Sequence, residues 1–178
     1  MKKLIVVFVL IGQSVFVHAQ KYSLESSTVS FFSDGAIEDI AANNTKSVSI
    51  FNAATGEVAF SIPVKDFEFE KSLMKEHFNE KYLETEKFPK ATFQGKLTGY
   101  QSTATGEQPA KAAGKMTIHG VTNEIEVSGT VEFVDGKVKV KSKFIVKLVD
   151  YKITIPQLLW QNITEEIEVR NEFIYKAQ

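Results

Sequence analysis

Histidine and cysteine side chains often carry catalysis or hold a metal, and this chain has few of them. It has no cysteine, and its only histidines beyond the N-terminal apolar segment are His77 and His119. No spacing in the sequence is typical of a nucleophile elbow, a zinc-binding helix, a phosphate loop or a dinucleotide loop. We therefore expect no catalytic residue, no metal site and no cofactor, and we predict that the protein is not an enzyme.

Both histidines have structural interpretations. His77 falls on a predicted helix, where it could face the mouth of a barrel, but a lone histidine is more often a packing or capping residue. His119 stands beside Gly120 at the predicted end of a strand and on its outward side. We interpret it as a turn residue.

Lysines recur on one side of a predicted strand and could meet an anionic membrane surface. They are Lys137, Lys139, Lys141, Lys143 and Lys147. Glu124 and Glu132 are predicted to oppose two of them, and the chain has 21 Lys and Arg against 22 Asp and Glu. We interpret the row as a solvated face, with weak membrane-surface contact as the alternative. Nucleic acid is not an expected partner, because a phosphate backbone requires a concentrated basic face.

The elements that would position these residues are mainly strands, and the clearest is a hairpin around Asp135-Gly136. This dipeptide tolerates the positive φ angles of a two-residue type I′ turn, so Val134 should pair with Lys137. Alternation of apolar and polar residues gives the same register. The predicted inward pairs are Phe133 with Val138, Val131 with Val140, Gly129 with Ser142, Val127 with Phe144 and Ile125 with Val146.

Weaker period-two patterns extend over most of the chain. About eight strands with one apolar face each favour an all-β fold, closed as an antiparallel barrel without exposed edges. The apolar sides are predicted at Val29 and Phe31; at Val48 and Ile50; at Val58, Phe60, Ile62 and Val64; at Ala91, Phe93, Gly95 and Leu97; at Ala112, Gly114, Met116 and Ile118; and at Ile163, Ile167, Val169 and Phe173.

Two segments interrupt the strands. Residues 72–83 have apolar side chains near helical spacing, which predicts a short helix with Ser72 as its N-cap. Phe88-Pro89 follows, and the chain is expected to re-enter the barrel at Lys90. Residues 99–113, which contain Pro109, are predicted to be a loop.

Small residues on the inward faces do not decide whether the interior is filled or holds a cavity. An eight-stranded barrel can be filled by side chains or can hold one ligand. Gly129 opposite Ser142 suggests room for a guest, but glycines also mark bulges and strand bends. The residues concerned are Gly95, Gly99, Ala112, Gly114, Gly129 and Ser142.

The N-terminus has the pattern of a signal peptide. Lys2 and Lys3 precede an apolar stretch, and Val17 and Ala19 occupy the positions that a signal peptidase requires. We predict a signal peptide over residues 1–19 and one domain over residues 20–178. Because no cysteine is present for lipidation, the product is expected to be soluble in the periplasm or secreted.

Two blocks of sequence carry a family resemblance. They are HFNEKYLETEKFPKATF, over residues 77–93, and GKMTIHGVT, over residues 114–122. In this order and spacing they resemble the YceI-like family, and the strand pattern extends the similarity from Tyr22 to Tyr175. The resemblance implies a lipocalin-like antiparallel barrel in the periplasm that binds polyisoprenoid or related amphiphilic lipids and has no enzymatic activity.

One element departs from that family. Many members carry an Arg-x-Asp-Phe-Gly-like stretch after the seventh strand, whereas this chain has Leu148-Val149-Asp150-Tyr151-Lys152. The Arg and the Gly are both missing. The departure leaves the identity of the ligand open.

The leading hypothesis is an exported protein that carries or sequesters a long-chain lipid in its lumen. A buried methylene contributes about 0.8 kcal/mol, whereas association costs on the order of 4 to 15 kcal/mol, so ten or more methylenes are favoured. The rival hypothesis is a non-enzymatic structural or interaction module, with a packed barrel, that acts through loops such as residues 99–113. The expected lumen lining is Phe60, Ile62, Leu73, Met74, Phe78, Phe93, Met116, Val127, Gly129, Ser142, Phe144 and Val146.

Overall fold

A computed structural model describes residues 21–35, 38–155 and 164–177 of the chain. The predicted signal peptide and Ile163 lie outside these ranges. Within them are ten strands: β1 (Lys21–Ser33), β2 (Ile40–Asn44), β3 (Val48–Asn52), β4 (Glu57–Pro63), β5 (Glu68–Phe69), β6 (Lys90–Thr98), β7 (Gly106–Ile118), β8 (Val121–Val134), β9 (Lys137–Lys147) and β10 (Glu166–Ala177).

Eight of the strands close into an antiparallel barrel, as the sequence predicts. Neighbours around the barrel are β1, β10, β9, β8, β7, β6, β4 and β3, and β3 returns to β1 at Lys21–Ser23. The far end of β1, from Val29 to Ser33, pairs instead with β2, which carries β5. The strands β2 and β5 therefore extend one end of the barrel, which we call the mouth.

The hairpin of β8 and β9 confirms the predicted turn and the register beside it. Asp135 and Gly136 have φ angles of 51° and 73°, as a type I′ turn requires. The ladder runs from Val134 opposite Lys137 to Gly129 opposite Ser142 and stops there.

Beyond Gly129, β8 pairs with β7 while β9 pairs with β10. The two predicted pairs farther from the turn, Val127 with Phe144 and Ile125 with Val146, are therefore wrong as ladder pairs. The predicted faces are nevertheless right, because Val127 and Val146 are both buried.

Two strands depart from the simple alternation. In β3, Phe51 is buried, whereas Val48 and Ile50 are 64% and 70% exposed, so the predicted apolar face of this strand points outward. In β1, one extra residue at Glu25 shifts the register against β10. Such a bulge exchanges the two faces of a strand. Tyr22 is therefore buried on one side of the bulge and Ser27 and Val29 on the other.

The interrupting segments differ in detail from the prediction. Helix α1 covers Ser72–His77 and continues as one π-helical turn over Phe78–Tyr82. Its N-cap is Lys71, so the prediction of Ser72 as N-cap is wrong. The chain re-enters the barrel at Lys90, as expected.

The predicted loop over residues 99–113 is also shorter than expected, because β7 begins at Gly106. Pro109 lies in this strand, beyond the last β6–β7 pair of Thr98 with Lys111. One edge of β7 has no strand partner there, which is where a sheet tolerates proline.

Candidate functional site

An apolar cavity of about 500 Å³ occupies the mouth half of the barrel. Its wall comes from β1, β4, β6, β7, β9 and β10, and it is covered by α1 and the π-helical turn. The volume falls within the usual range for small-molecule sites, which are lined mainly by apolar side chains. Leu73 of α1 lines the cavity yet is 58% exposed, which places it at the rim.

The helical segment is held over the mouth by an aromatic cluster of Phe31, Phe67, Phe69 and Phe78. Phe78, at the start of the π-helical turn, lies 5.0 Å from Phe69, 5.4 Å from Phe31 and 5.6 Å from Phe67 between ring centroids. These spacings suit favourable aromatic contacts. The π-helical turn closes through a backbone hydrogen bond from Leu83 N–H to the Phe78 carbonyl, at 2.9 Å. Such turns within helices are frequent at functional sites.

The half of the barrel away from the mouth is packed. Phe60 stacks on Phe93 at 5.3 Å and on Phe173 at 5.2 Å, and of these rings Phe60 lines the cavity while all three line the void below it. Below Phe60 lies a void of about 50 Å³. The interior is therefore open in one half and filled in the other.

The predicted lumen residues divide between these two halves. Eight of the twelve line the mouth cavity: Phe60, Ile62, Leu73, Met74, Phe78, Met116, Phe144 and Val146. The other four, together with Phe60, line the small lower void: Phe93, Val127, Gly129 and Ser142.

Several lining residues were missed by the sequence prediction. Ile167 and Val169 of β10 were predicted on the apolar face with Phe173 but were not assigned to the lining, and Asn171 lies on the same side of that strand. Phe67 and Phe69 flank Glu68 in a short period-two pattern. Leu148 and Ile153 follow β9, and no local sequence pattern predicts that they line the cavity.

The inward glycines mark close approach of strands rather than space for a guest. A Cβ added to Gly129 would lie 2.2 Å from the Lys141 carbonyl oxygen. Gly95 and Gly114 are paired across β6 and β7, and a Cβ on either would lie within 2.5 Å of backbone atoms of the other strand. At these three positions the neighbouring backbone occupies the space that a guest would need, so close strand approach, and neither a guest nor a bulge, accounts for the glycines.

Few charged groups reach the cavity, and those that do lie at the mouth. Lys71 forms an ion pair with Glu38, and His77 of α1 also contributes to the lining. His77 thus faces the mouth, the alternative that the sequence left open. Tyr82 lines the wall as well, and burial raises the pKa of its phenol.

The two sequence blocks that carry the family resemblance meet beside the mouth. His119 and Gly120 form the tight turn between β7 and β8, and both have positive φ angles. The His119 ring packs edge-on against Phe88, with centroids 4.5 Å apart, and Nδ1 lies 3.3 Å from the Tyr151 carbonyl oxygen. His119 is the turn residue that the sequence predicts, and it also joins three segments of the chain.

The stretch that departs from the family forms a 3₁₀ turn over Leu148–Tyr151. Leu148, at the position of the missing Arg, is buried and lines the cavity. Lys152, at the position of the missing Gly, has a φ of 55°. The first change makes the wall more apolar, and the second places a side chain where glycine is the least strained residue.

The lysine row on β9 is largely neutralised. Lys137 pairs with Glu25 at 2.6 Å, Lys143 with Glu168 at 2.7 Å and Lys147 with Glu166 at 3.2 Å. Lys141 lies 3.8 Å from Glu107. Glu132 stands opposite Lys139, as predicted, whereas Glu124 stands opposite Lys115 of β7. The ion-pair partners themselves come from β1, β7 and β10. A largely paired row supports the solvated interpretation, and the membrane-surface contact stays a prediction.

Within residues 21–35, 38–155 and 164–177, no group of three or more His, Cys, Asp or Glu side chains could hold a metal ion. In the same ranges, no helix has the length and apolar character needed to span a membrane.

Comparisons with known proteins agree with this architecture. The sequence model of the YceI-like domain matches residues 17–174, and no curated protein matches the chain. The fold is similar to that of a polyisoprenoid binding domain from Saccharophagus degradans implicated in plant cell wall breakdown, at 16% identity and a TM-score of 0.76, covering 89% of this chain and 99% of that one.

Two other solved structures are also similar. Burkholderia cenocepacia BcnA is 16% identical with a TM-score of 0.71, over 83% of this chain and 95% of that chain. A YCEI protein from Campylobacter jejuni is 15% identical with a TM-score of 0.56, over 100% of this chain and 99% of that chain. At these identities the likeness concerns the fold.

Proposed function

Because the chain belongs to the YceI-like domain family, we propose that it binds a long-chain apolar lipid, of polyisoprenoid or acyl type, in the mouth half of its barrel. The observation that carries this proposal is the apolar cavity of about 500 Å³ beneath the helical segment. The similar domain from Saccharophagus degradans is described as polyisoprenoid binding, which supports the same class of ligand.

The physical basis is transfer of hydrocarbon from water to the cavity. Each buried methylene contributes about 0.8 kcal/mol, and the total must exceed an association cost on the order of 4 to 15 kcal/mol. Among the described residues, the acidic and basic side chains that line the cavity are Glu38 and Lys71, which pair with each other, and His77. Affinity must therefore come mainly from a long chain, and binding requires no catalytic step.

The biological setting forms part of the proposal. The N-terminal pattern of Lys2, Lys3 and the following apolar stretch supports export to the periplasm or beyond. Glu and Lys side chains cover the outside of the barrel in paired rows. A carrier or sequestering protein would use such a surface to keep the complex in water while its lumen shelters the lipid.

Mass spectrometry after extraction into organic solvent tests the proposal. The protein purified from its own cell envelope should release a stoichiometric long-chain lipid, and the lipid-free protein should take up such a lipid from vesicles. No co-purified lipid, together with no uptake of any polyisoprenoid or acyl chain, would contradict the proposal.

A cavity-filling variant gives a sharper form of the experiment. Ala91 lies on the inward face of β6 and lines the cavity, so Ala91→Phe should occupy the space and reduce uptake at least tenfold while the protein stays folded. The matched control is Ala113→Phe, which makes the same change at an exposed position on β7. Equal uptake by both variants would show that the lipid does not enter this cavity.

A further inference from the structure

Asn171 is a polar residue on the apolar inner wall of the barrel. It lies on the inward face of β10, between Val169 and Phe173, and is only 8% exposed. It lines both the mouth cavity and the small void beneath it. Its amide therefore stands at the floor of the cavity, where a chain that fills the mouth half would end.

The amide has unused hydrogen-bonding capacity. Nδ2 donates to Ser142 Oγ over 3.4 Å, whereas Oδ1 has no partner among the described residues. Rotating the amide by half a turn would pair Oδ1 with the Ser142 hydroxyl and leave Nδ2 without a partner. In either orientation, one atom of the amide lacks a hydrogen-bond partner. A buried polar atom without a partner favours a ligand that can form a hydrogen bond with it.

The other polar side chains of the wall are matched or lie at the mouth, except Thr92, which alternates with the inward Ala91 and Phe93 on β6. Ser33 Oγ lies 3.3 Å from Thr164 Oγ1, within hydrogen-bonding reach. Lys71 is paired with Glu38 at the rim, and His77 belongs to the helix above. An anion at the floor would lose its hydration without gaining a countercharge, which is far more costly than burying a neutral group that finds a hydrogen bond.

We infer that the cavity recognises a lipid with a neutral hydrogen-bonding end group, a hydroxyl or an amide, and holds that end against Asn171 with the chain directed toward the helix. This inference rests on the lipid binding proposed above. It assigns Asn171 as the residue that distinguishes such a lipid from a plain hydrocarbon or from a lipid phosphate.

Uptake of three probes with the same chain length tests the inference. Hexadecan-1-ol, hexadecane and hexadecyl phosphate are delivered from cyclodextrin to the wild type and to Asn171→Leu, which keeps a similar volume. The Kd for hexadecan-1-ol should rise about tenfold or more in the variant, as expected for loss of a buried hydrogen bond. The Kd for hexadecane should stay the same or fall. The hydration of each free probe is the same for both proteins, so it cancels when the ratio of the two Kd values is compared between the wild type and the variant.

Two controls complete the experiment. Thr92→Val removes a hydroxyl from β6 at a position that alternates with the inward Ala91 and Phe93, and it should leave the ratio of the two Kd values unchanged. In the wild type, the NMR signal of the Asn171 side-chain amide should move with hexadecan-1-ol relative to hexadecane, a readout that does not require the variant to fold.

The outcomes separate the two proposals. If none of the three probes binds the wild type, the proposed function fails and this inference fails with it. Lipid binding stands but the role of Asn171 is overturned if Asn171→Leu weakens the alcohol and the alkane equally. Tightest binding of hexadecyl phosphate, or an amide signal that responds alike to alcohol and alkane, would also overturn it.

Discussion

His119 Nε2 lies 3.2 Å from Glu84 Oε2, and this contact joins the two sequence blocks by which the family resemblance is found. Glu84 follows the helical segment over the mouth, and His119 forms the turn at the same end of the barrel. Both residues have positive φ angles, of 41° and 50°. The geometry suggests that the two blocks occur together because they fix the helical segment to the barrel.

Replacing Glu84 should change how the free energy of unfolding depends on pH in the acidic range. The Lys87 ammonium and then the His119 ring lower the pKa of the Glu84 carboxyl. A lowered folded-state pKa gives stability that is present above the unfolded-state value and is lost as pH falls through the folded-state value. Unfolding measured between about pH 5 and pH 3 should therefore be less pH-dependent in Glu84→Gln than in the wild type. Glu76→Gln, at an exposed position on α1, should retain the wild-type slope, and identical slopes in all three proteins would contradict the prediction.

Adding one methyl group at Gly129 should destabilise the barrel. The new Cβ would lie 2.2 Å from the Lys141 carbonyl oxygen, so one strand must shift. Overpacking of this kind typically costs about 1 to 3 kcal/mol, which urea unfolding of Gly129→Ala would measure. The neighbouring change Ser128→Ala, on the exposed side of β8, should have little effect. A stable Gly129→Ala protein with reduced lipid uptake would instead mean that this glycine provides space for the ligand.

Restoring the family glycine at Lys152 should stabilise the protein. Lys152 has a φ of 55°, a left-handed conformation that costs an ordinary L-residue about 1 to 2 kcal/mol. Lys152→Gly removes that strain but increases the entropy of the unfolded chain, so a net gain of roughly 0.5 to 1 kcal/mol is expected in thermal or urea unfolding. Lys152→Ala removes the same charge while keeping the strain. If Lys152→Ala increased the stability by the same amount, the effect would come from loss of the charge and not from relief of strain.

Tyr175 should govern part of the stability at alkaline pH. Burial raises the pKa of its phenol to about 12, opposed by the hydrogen bond to Ser49, where the two oxygens lie 2.7 Å apart. The unfolded chain ionises near pH 10, so stability should be intact below about pH 10 and fall toward pH 12. Tyr175→Phe should be less stable at pH 7 but show a shallower alkaline decline.

Tyr22→Phe, at another buried tyrosine, provides the control for this alkaline titration. It should decline with pH as the wild type does. An unchanged slope in Tyr175→Phe would exclude the Tyr175 phenol as the group responsible.

The sequence by itself determined the faces of most strands, the Asp135-Gly136 turn and the register beside it. These features depend on neighbouring residues, because side chains alternate along a strand and the turn requires positive φ angles. The same local rules failed at β3, where Val48 and Ile50 point outward, and at Glu25, where a bulge exchanges the faces of β1. Alternation alone does not reveal which side of a strand meets the core.

Only the tertiary structure decided where the interior is open. Each of the twelve predicted residues lines one of the two voids, with Leu73 at the rim, but packing of Phe60, Phe93 and Phe173 across three strands fills one half and leaves the cavity in the other. Gly129 shows the same dependence. Whether it leaves space for a ligand or lets two strands approach is decided by the distance to the backbone of Lys141 on the next strand. Void space and strand approach are set by residues far apart in the chain, so no local pattern specifies them.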